Sequence, residues 1–235
     1  MSTVEAVLVD AGGVLVVPDP ERVASVLAPF GASVDEAIAA RSHYVGVAAL
    51  ERVTEGDRNS FMPYHRAYAA SCQVPATNLD EAVDALADEF LRTPMFTCVV
   101  PGATDALRAL DALGVMVAIV SNSRGEAEEV LCRIGICQVG PGPLPRVAAV
   151  FDSAIVGFEK PDPRIFEHAL THLGVGPDVT IHVGDTPAAD IVGAVAAGIR
   201  PVLVDPHDDH VGLPHARVRS LGDVVQLVKD ANASG

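Results

Sequence analysis

The chain has 235 residues, 49% of them hydrophobic and 20% charged, and it carries a formal net charge of −15. Its apolar runs are all shorter than the roughly 20 residues that a membrane-spanning helix requires, so we expect no membrane partner. The acidic excess repels nucleic-acid backbones, which excludes nucleic acid as an expected partner and leaves small molecules.

The N-terminus and the cysteines bear on the location of the protein. The first residues, MSTVEAVLVD, contain no basic segment followed by a cleavable apolar region, which favours the cytoplasm. The four cysteines form no CxxC pair and have no histidine nearby at zinc-site spacing, so we expect reduced thiols. The composition is compatible with a monomer or a homodimer.

The first third of the chain predicts one strand followed by an inserted helical segment. Residues 4–9 are apolar and rich in valine, and they end at Asp10 and two glycines, as a buried parallel strand does when it enters a tight turn. Helical patterns then cover 34–47, 60–71 and 78–92. We therefore expect an all-helical cap domain over 18–98, inserted into a core domain made of 1–17 and 99–235.

Several polar or aromatic residues of the insert are candidates for contact with a ligand. They are Arg41, His43, Tyr44, Tyr64, His65 and Arg66. The alternative interpretation is that they belong to ordinary solvated helix faces. With 12 acidic and six basic residues, the insert is not a general anion-binding surface.

The rest of the chain repeats the pattern of the first strand. Apolar runs at 115–120, 180–183 and 201–204 end at Ser121, at Gly184 and Asp185, and at Asp205. Helical patterns over 102–113 and 187–197 alternate with these runs. This alternation predicts an α/β core with a doubly wound, Rossmann-like parallel sheet, whose strands carry polar groups at the ends where such sheets bind ligands.

Four segments with polar residues recur in a fixed order and spacing: VLVDAGGVL at 7–15, AIVSNS at 118–123, GFEKPDPRIF at 157–166 and HVGDTPAADIVGAVAAG at 182–198. They resemble the four motifs of the haloacid dehalogenase-like (HAD) superfamily. The resemblance spans most of the chain, and its most specific part is the third and fourth motifs together. An insert between the first two motifs is similar to the helical cap of one phosphatase branch of that superfamily.

The resemblance implies a Mg²⁺-dependent phosphatase that hydrolyses small phosphorylated metabolites through an aspartyl-phosphate. It makes Asp10 the nucleophile and gives Ser121, Asn122 and Lys160 contacts with the substrate phosphate, Ser121 and Lys160 also serving catalysis. It also implies a metal shell of Asp10, the carbonyl of Gly12 and Asp185, with Asp190 as a ligand or as the partner of one. Carboxylate and carbonyl oxygens are the ligands that Mg²⁺ prefers.

Each of these residues also has a purely structural interpretation. Asp10 and Asp185 could cap turns or helices, and Ser121 with Asn122 could form a turn and a helix cap. Lys160 could be a solvated surface lysine, as most lysines are, and Asp190 could lie on a helix surface.

One position departs from the resemblance. Most phosphatases of this superfamily carry an aspartate two residues after the nucleophile, where it acts as a general acid, and here that position is Gly12. Three alternatives follow: a phosphatase that takes its proton elsewhere, another HAD chemistry such as dehalogenation, or a catalytically weak phosphate-binding or regulatory protein. The insert lacks lysine, which excludes a Schiff-base enzyme of the phosphonoacetaldehyde hydrolase type. The acid pair Asp185 and Asp190 counts against a dehalogenase.

Overall fold

A computed structural model describes residues 3–52 and 61–233. The chain divides into two compact units, one made of Met1–Leu15 and Val99–Gly235 and the other of Val16–Cys98. We call them the core unit and the inserted unit. Within the described ranges, no helix combines the length and the apolar character needed to cross a bilayer.

The strands and helices follow in chain order. The strands are β1 (Ala6–Val9), β2 (Val16–Pro18), β3 (Phe96–Val99), β4 (Met116–Ser121), β5 (Gln138–Val139), β6 (Arg146–Val147), β7 (Ala149–Asp152), β8 (Thr180–Gly184), β9 (Arg200–Val204) and β10 (Ala216–Val218). The helices are α1 (Pro20–Leu27), α2 (Glu36–Leu50), α3 (Met62–Ser71), α4 (Leu79–Arg92), α5 (Ala103–Ala112), α6 (Ala127–Arg133), α7 (Ser153–Val156), α8 (Pro163–Leu173), α9 (Val192–Ala196) and α10 (Leu221–Ala233).

The core unit is built on a six-stranded sheet with the order β10-β9-β8-β1-β4-β7. Every pair of neighbours in it is parallel. The chain winds from β1 outward to β4 and β7, and then returns to the other side of β1 for β8, β9 and β10. This topology confirms the predicted doubly wound α/β sheet and places the end of β1 where the winding reverses.

Two strands of this sheet, β7 and β10, were not among the four predicted from the sequence. β7 has only four residues, and β10 is a three-residue edge strand whose side chains are exposed or partly exposed. A run as short as β10 gives almost no periodic signal, so pairing with β9 decides its conformation.

Helix α8 shows how the sheet is covered. It starts at the N-cap Asp162, whose side chain accepts a hydrogen bond from the Arg164 N–H, and it ends at Gly174, which has a φ of 69°. Its buried residues are Ile165 and Phe166 and, one turn later, Ala169 and Leu170. All four pack in a cluster with apolar residues of β1, β4 and β7. The apolar spacing of this segment therefore accounts for its packing on the sheet.

The inserted unit contains α1 to α4 and is not wholly helical, because β2 and β3 pair in a two-stranded sheet. Its core is a cluster of apolar and aromatic side chains centred on Tyr64 and Tyr68. Gly46 makes room for this packing, since a Cβ there would collide with the ring of Tyr64. The tyrosine hydroxyls are satisfied internally: that of Tyr64 lies 2.9 Å from His43 Nδ1, and that of Tyr68 donates to the Ala39 carbonyl.

The polar candidates of the inserted unit divide between its interior and its surface. His43, Tyr64 and His65 are buried, and so are not part of a solvated helix face. Arg66 is exposed and forms an ion pair with Asp80. Helix periodicity alone did not distinguish these positions, because each helix contacts several others in this unit.

His65 should make the inserted unit sensitive to acid. Burial lowers the pKa of His65 from 6.5 to about 4, and its Nδ1 makes no hydrogen bond within the described residues. The unfolded chain therefore binds the proton first as pH falls, so the contribution of neutral His65 to stability is complete above about pH 6.5 and is lost progressively toward pH 4. We expect His65→Leu to lose less stability than wild type between pH 7 and pH 4.5.

Tyrosine fluorescence during urea unfolding is a suitable measurement. The chain has no tryptophan and three tyrosines, all within Val16–Cys98, so the signal reports on the inserted unit alone. His168→Leu, which removes an exposed histidine of the core unit, is the control and should follow wild type. Identical pH dependence of wild type and His65→Leu would contradict the prediction.

Candidate functional site

The site lies at the carboxyl ends of the three central strands of the core unit. Asp10 follows β1 directly, Ser121 is the last residue of β4, and Asp185 follows β8. Since β4 and β8 are the two hydrogen-bonded neighbours of β1, the sheet brings these three positions side by side. All three residues are buried.

Lys160 joins two carboxylates inside the site. Its Nζ lies 2.7 Å from Oδ1 of Asp10 and 2.6 Å from Oδ1 of Asp190. The side chain of Lys160 is 2% exposed, so Lys160 is not a surface lysine. Asp190 is completely buried, so its interpretation as a helix-surface residue is also wrong.

Asp190 is held by donors on both of its oxygens. Oδ1 accepts from Lys160 Nζ and lies 2.9 Å from His182 Nε2, while Oδ2 accepts from the backbone N–H of Thr186 at 3.0 Å. Asp190 belongs to a π-helical turn, Pro187–Ile191, which begins two residues after Asp185. A π-helical turn is rare, and here it directs this carboxylate back toward the strand ends.

The charges of this cluster depend on one another. Burial, together with the carboxylates of Asp190 and Asp185 and partly offset by the Lys160 ammonium, raises the pKa of Asp10 to about 8. Burial alone would also raise the pKa of Asp190, but the charge of Lys160 and the hydrogen bond from His182 hold it well below its usual range. Burial opposes the charge on Lys160, and the two carboxylates outweigh burial and raise its pKa. The interior therefore favours an ionised Lys160–Asp190 pair beside an Asp10 that is reluctant to ionise.

Three carboxylates of the cluster could share a metal ion. Asp10, Asp185 and Asp190 each offer an oxygen within 4.8 Å of the others, the only such grouping of candidate ligands within residues 3–52 and 61–233. Asp185 Oδ1 also accepts from the Thr186 hydroxyl at 3.0 Å, which fixes its orientation. These are hard oxygen ligands, the type that suits Mg²⁺.

Asn122 positions the backbone of Lys160. Its Nδ2 donates to the Lys160 carbonyl at 2.8 Å, and its Oδ1 accepts the Lys160 N–H at 2.7 Å. Both ends of the amide are thus used to hold the loop that carries the lysine. The resemblance implied a contact between Asn122 and the substrate phosphate, and no local pattern indicated this pairing between residues 38 positions apart.

Asp152 is a polar residue near the site that the sequence analysis missed. It lies at the end of β7, opposite Ser121 in register, and is buried. Its Oδ2 accepts from the Ser123 hydroxyl at 2.5 Å and from the backbone N–H groups of Gly125 and Ala127, which organises the loop after β4. The signal was present, because an apolar run followed by aspartate also marks the ends of β1 and β9.

Gly184 provides the space that Asp190 occupies. A Cβ at position 184 would lie far inside van der Waals contact with three side-chain atoms of Asp190. We expect Gly184→Ala to displace Asp190 and to destabilise the core unit by about 1–3 kcal/mol, because overpacking a buried site forces the neighbours apart. Urea unfolding followed by far-UV circular dichroism measures this difference.

Gly222 offers a matched control for that substitution. It lies in α10, where an added Cβ would meet only the Ser220 hydroxyl, at 3.3 Å. Gly222→Ala should be neutral or slightly stabilising, because alanine favours a helix over glycine by about 1 kcal/mol. Equal stability of Gly184→Ala and wild type would mean that the close approach of Asp190 is not a constraint.

Several known proteins are similar to this chain in sequence. The sequence model of the haloacid dehalogenase-like hydrolase family matches residues 4–198. A phosphoserine phosphatase of Thermus thermophilus is 33% identical over 148 residues, covering 61% of this chain and 57% of that protein. A glyceraldehyde 3-phosphate phosphatase of Methanothermobacter thermautotrophicus is 34% identical over 133 residues, covering 54% and 56% respectively. The chain therefore spans a little over half the length of these two relatives.

Among solved structures, a HAD-hydrolase of Bacillus subtilis bound to magnesium has the same fold. It superimposes with a TM-score of 0.63 over 97% of this chain and 99% of that one, at 17% sequence identity. At this level of identity, the likeness supports the fold and not the activity.

Proposed function

Because the chain belongs to the haloacid dehalogenase-like hydrolase family, we propose that it is a Mg²⁺-dependent phosphatase of small phosphorylated metabolites. Asp10 is its nucleophile, and Asp10, the Gly12 carbonyl and Asp185 hold the metal. Asp190, whose two oxygens are engaged by Lys160, His182 and Thr186, serves as the partner of the lysine.

The observation that carries this proposal is the charge imbalance of the site. Three buried carboxylates, Asp10, Asp185 and Asp190, lie together with one buried ammonium group, that of Lys160, which contacts two of them. Two negative charges remain when all four groups are ionised. A divalent cation held by these carboxylates would balance the two charges and favour the ionised form of Asp10, whose pKa burial raises and which must be ionised to act as a nucleophile. The oxygen donors fit Mg²⁺ better than a soft metal.

The proposed reaction has two steps, in which Asp10, Ser121 and Lys160 have different roles. A carboxylate oxygen of Asp10 forms a bond to phosphorus while the bond from phosphorus to the ester oxygen breaks, and the leaving oxygen takes up a proton. Water then attacks phosphorus, the bond from phosphorus to Asp10 breaks, and inorganic phosphate leaves. Ser121 donates to a phosphoryl oxygen, and Lys160 offsets the charge shared by the phosphoryl group and Asp10. Mg²⁺, when bound, neutralises phosphoryl oxygens.

Two observations support a phosphate ester as the substrate class. The relatives from Thermus and Methanothermobacter carry the names of phosphatases that act on small phosphorylated molecules. The site also combines a lysine with a carboxylate cluster suited to Mg²⁺. Phosphoryl transfer requires such positive groups, a lysine and a metal ion, to offset the charge of the phosphate.

Phosphate release from a panel of phosphorylated metabolites tests the proposal. The purified protein is assayed with Mg²⁺, with EDTA, and with Mg²⁺ restored after EDTA, and Asp185→Asn serves as the metal-site variant. We expect release that requires Mg²⁺ and a weaker Mg²⁺ affinity in Asp185→Asn, measured by calorimetric titration. Release from no substrate in the panel would instead favour a phosphate-binding or regulatory role, and equal Mg²⁺ affinities would remove Asp185 from the metal shell.

Gly12 predicts a preference among substrates. Without an acid at this position, esters with good leaving groups, such as aryl phosphates, should be hydrolysed faster than sugar phosphates. Gly12 is not one of the glycines with a positive φ, whereas its neighbour Gly13 is, at 64°, so aspartate at position 12 meets no backbone strain of that kind. Gly12→Asp should raise the rate most for alkyl esters. A folded Gly12→Asp with no gain, together with equal wild-type rates on both ester classes, would show that another group supplies the proton.

A further inference from the structure

His182 is a histidine where packing alone would favour an aliphatic residue. It lies in the middle of β8, paired in register with Leu8 of β1, and it is completely buried. The ring of Phe166 packs edge-on against it at 4.8 Å between centroids. Burying an imidazole costs free energy unless its nitrogens are hydrogen-bonded, and Nδ1 has no partner within the described part of the chain. The other nitrogen, Nε2, therefore accounts for a histidine at this position.

Nε2 faces Asp190, which fixes the tautomer. Its distance to Oδ1 of Asp190 is 2.9 Å. An ionised carboxylate can only accept hydrogen bonds, so Nε2 carries a proton and donates it toward Asp190. His182 therefore donates to the same oxygen that Lys160 Nζ contacts at 2.6 Å.

The contacts form a continuous chain to the nucleophile. It runs from His182 Nε2 to Asp190 Oδ1, from there to Lys160 Nζ, and from Lys160 Nζ to Asp10 Oδ1 at 2.7 Å. With Thr186 N–H on the other oxygen of Asp190, the two donors prevent the carboxylate from rotating. The place of the lysine beside Asp10 then depends on a carboxylate that His182 helps to hold.

We propose that His182 is a positioning residue, which orients Asp190 and through it keeps the Lys160 ammonium against Asp10. This inference rests on the proposed function for its effect on turnover, but its structural part can be measured without turnover. His182 contacts no reacting atom.

Two substitutions separate the hydrogen bond from packing. His182→Leu fills the core with an apolar side chain and removes the N–H that donates to Asp190. His182→Gln keeps an N–H that can reach Asp190. We expect His182→Leu to lower kcat about 10- to 100-fold, the usual cost of losing a residue that orients a catalytic group, with little change in KM. His182→Gln should retain most of kcat. His168→Leu, at an exposed position, is the control.

Lysine NMR provides a readout that does not depend on activity. The chain has two lysines, the buried Lys160 and the exposed Lys229, so ¹³Cε-lysine labelling gives two resonances. In His182→Leu we expect the Lys160 resonance to shift or broaden while that of Lys229 stays in place. In His182→Gln both should resemble wild type.

Each outcome bears on the proposal. An unchanged Lys160 resonance in a folded His182→Leu overturns it. Equal losses of kcat in His182→Leu and His182→Gln also overturn it, because altered packing would then explain both losses. If wild type releases no phosphate, the proposed function fails and the lysine resonances alone decide the inference. If neither variant folds, ¹⁵N-histidine NMR of wild type decides: a protonated Nε2 on His182 supports the proposal, and an unprotonated Nε2 overturns it.

Discussion

Asp10→Asn should abolish turnover while the protein stays folded. The amide has nearly the shape of the carboxylate, and its oxygen can still accept from Lys160 and from the Ala11 N–H, which lie 2.7 Å from Asp10 Oδ1. It cannot act as the nucleophile, so we expect a loss on the order of 10³-fold or more, the scale seen when a catalytic nucleophile is removed. Phosphate release at saturating substrate measures the loss.

The stability of Asp10→Asn provides the control. In the Mg²⁺-free protein, burial raises the pKa of Asp10 to about 8, so a neutral group at this position should cost the fold nothing at neutral pH. We expect the unfolding midpoint to be equal to that of wild type or higher.

Chemical trapping completes this test. Borohydride reduces an aspartyl-phosphate to homoserine, and mass spectrometry should find that product at position 10 in wild type and not in the variant. Turnover comparable with wild type in Asp10→Asn, or homoserine at another aspartate, would refute the assigned nucleophile.

Lys160→Met should have the second largest effect. The substitution keeps a long side chain but removes the positive charge between Asp10 and Asp190, which leaves an uncompensated carboxylate in the interior. Breaking one side of a buried ion pair costs about 3–5 kcal/mol, although protonation of Asp10 reduces that cost. We expect lower stability by far-UV circular dichroism and a fall in kcat on the order of 10²- to 10³-fold, typical of losing one group that stabilises developing charge.

Lys229→Met is the matched control, because Lys229 is the other lysine of the chain and is exposed in α10. It should change neither stability nor kcat by more than experimental scatter. If Lys160→Met behaved like Lys229→Met, the ion pairs of Lys160 would contribute nothing to folding or to the reaction.

Local sequence patterns were enough to predict the class of the fold and the strand ends at which the site lies. Valine-rich runs that end in aspartate or serine predict strands and the turns that follow them, because strand propensity and tight turns depend on adjacent residues. Parallel strands bring their carboxyl ends to one edge, so β1, β4 and β8 carry Asp10, Ser121 and Asp185 to the same place. The helical patterns over 34–47, 60–71 and 78–92 correspond to α2, α3 and α4 of the inserted unit.

The contacts that hold the site together could not be predicted from local patterns. The contact of Asn122 with the backbone of Lys160 joins residues 38 positions apart, and the contact of His182 with Asp190 needs both a strand and a π-helical turn. Burial, which sets the pKa of Asp10 and of His65, is likewise a property of everything packed around a group. Hydrogen-bond partners and burial arise from long-range packing, which leaves no periodic pattern along the chain.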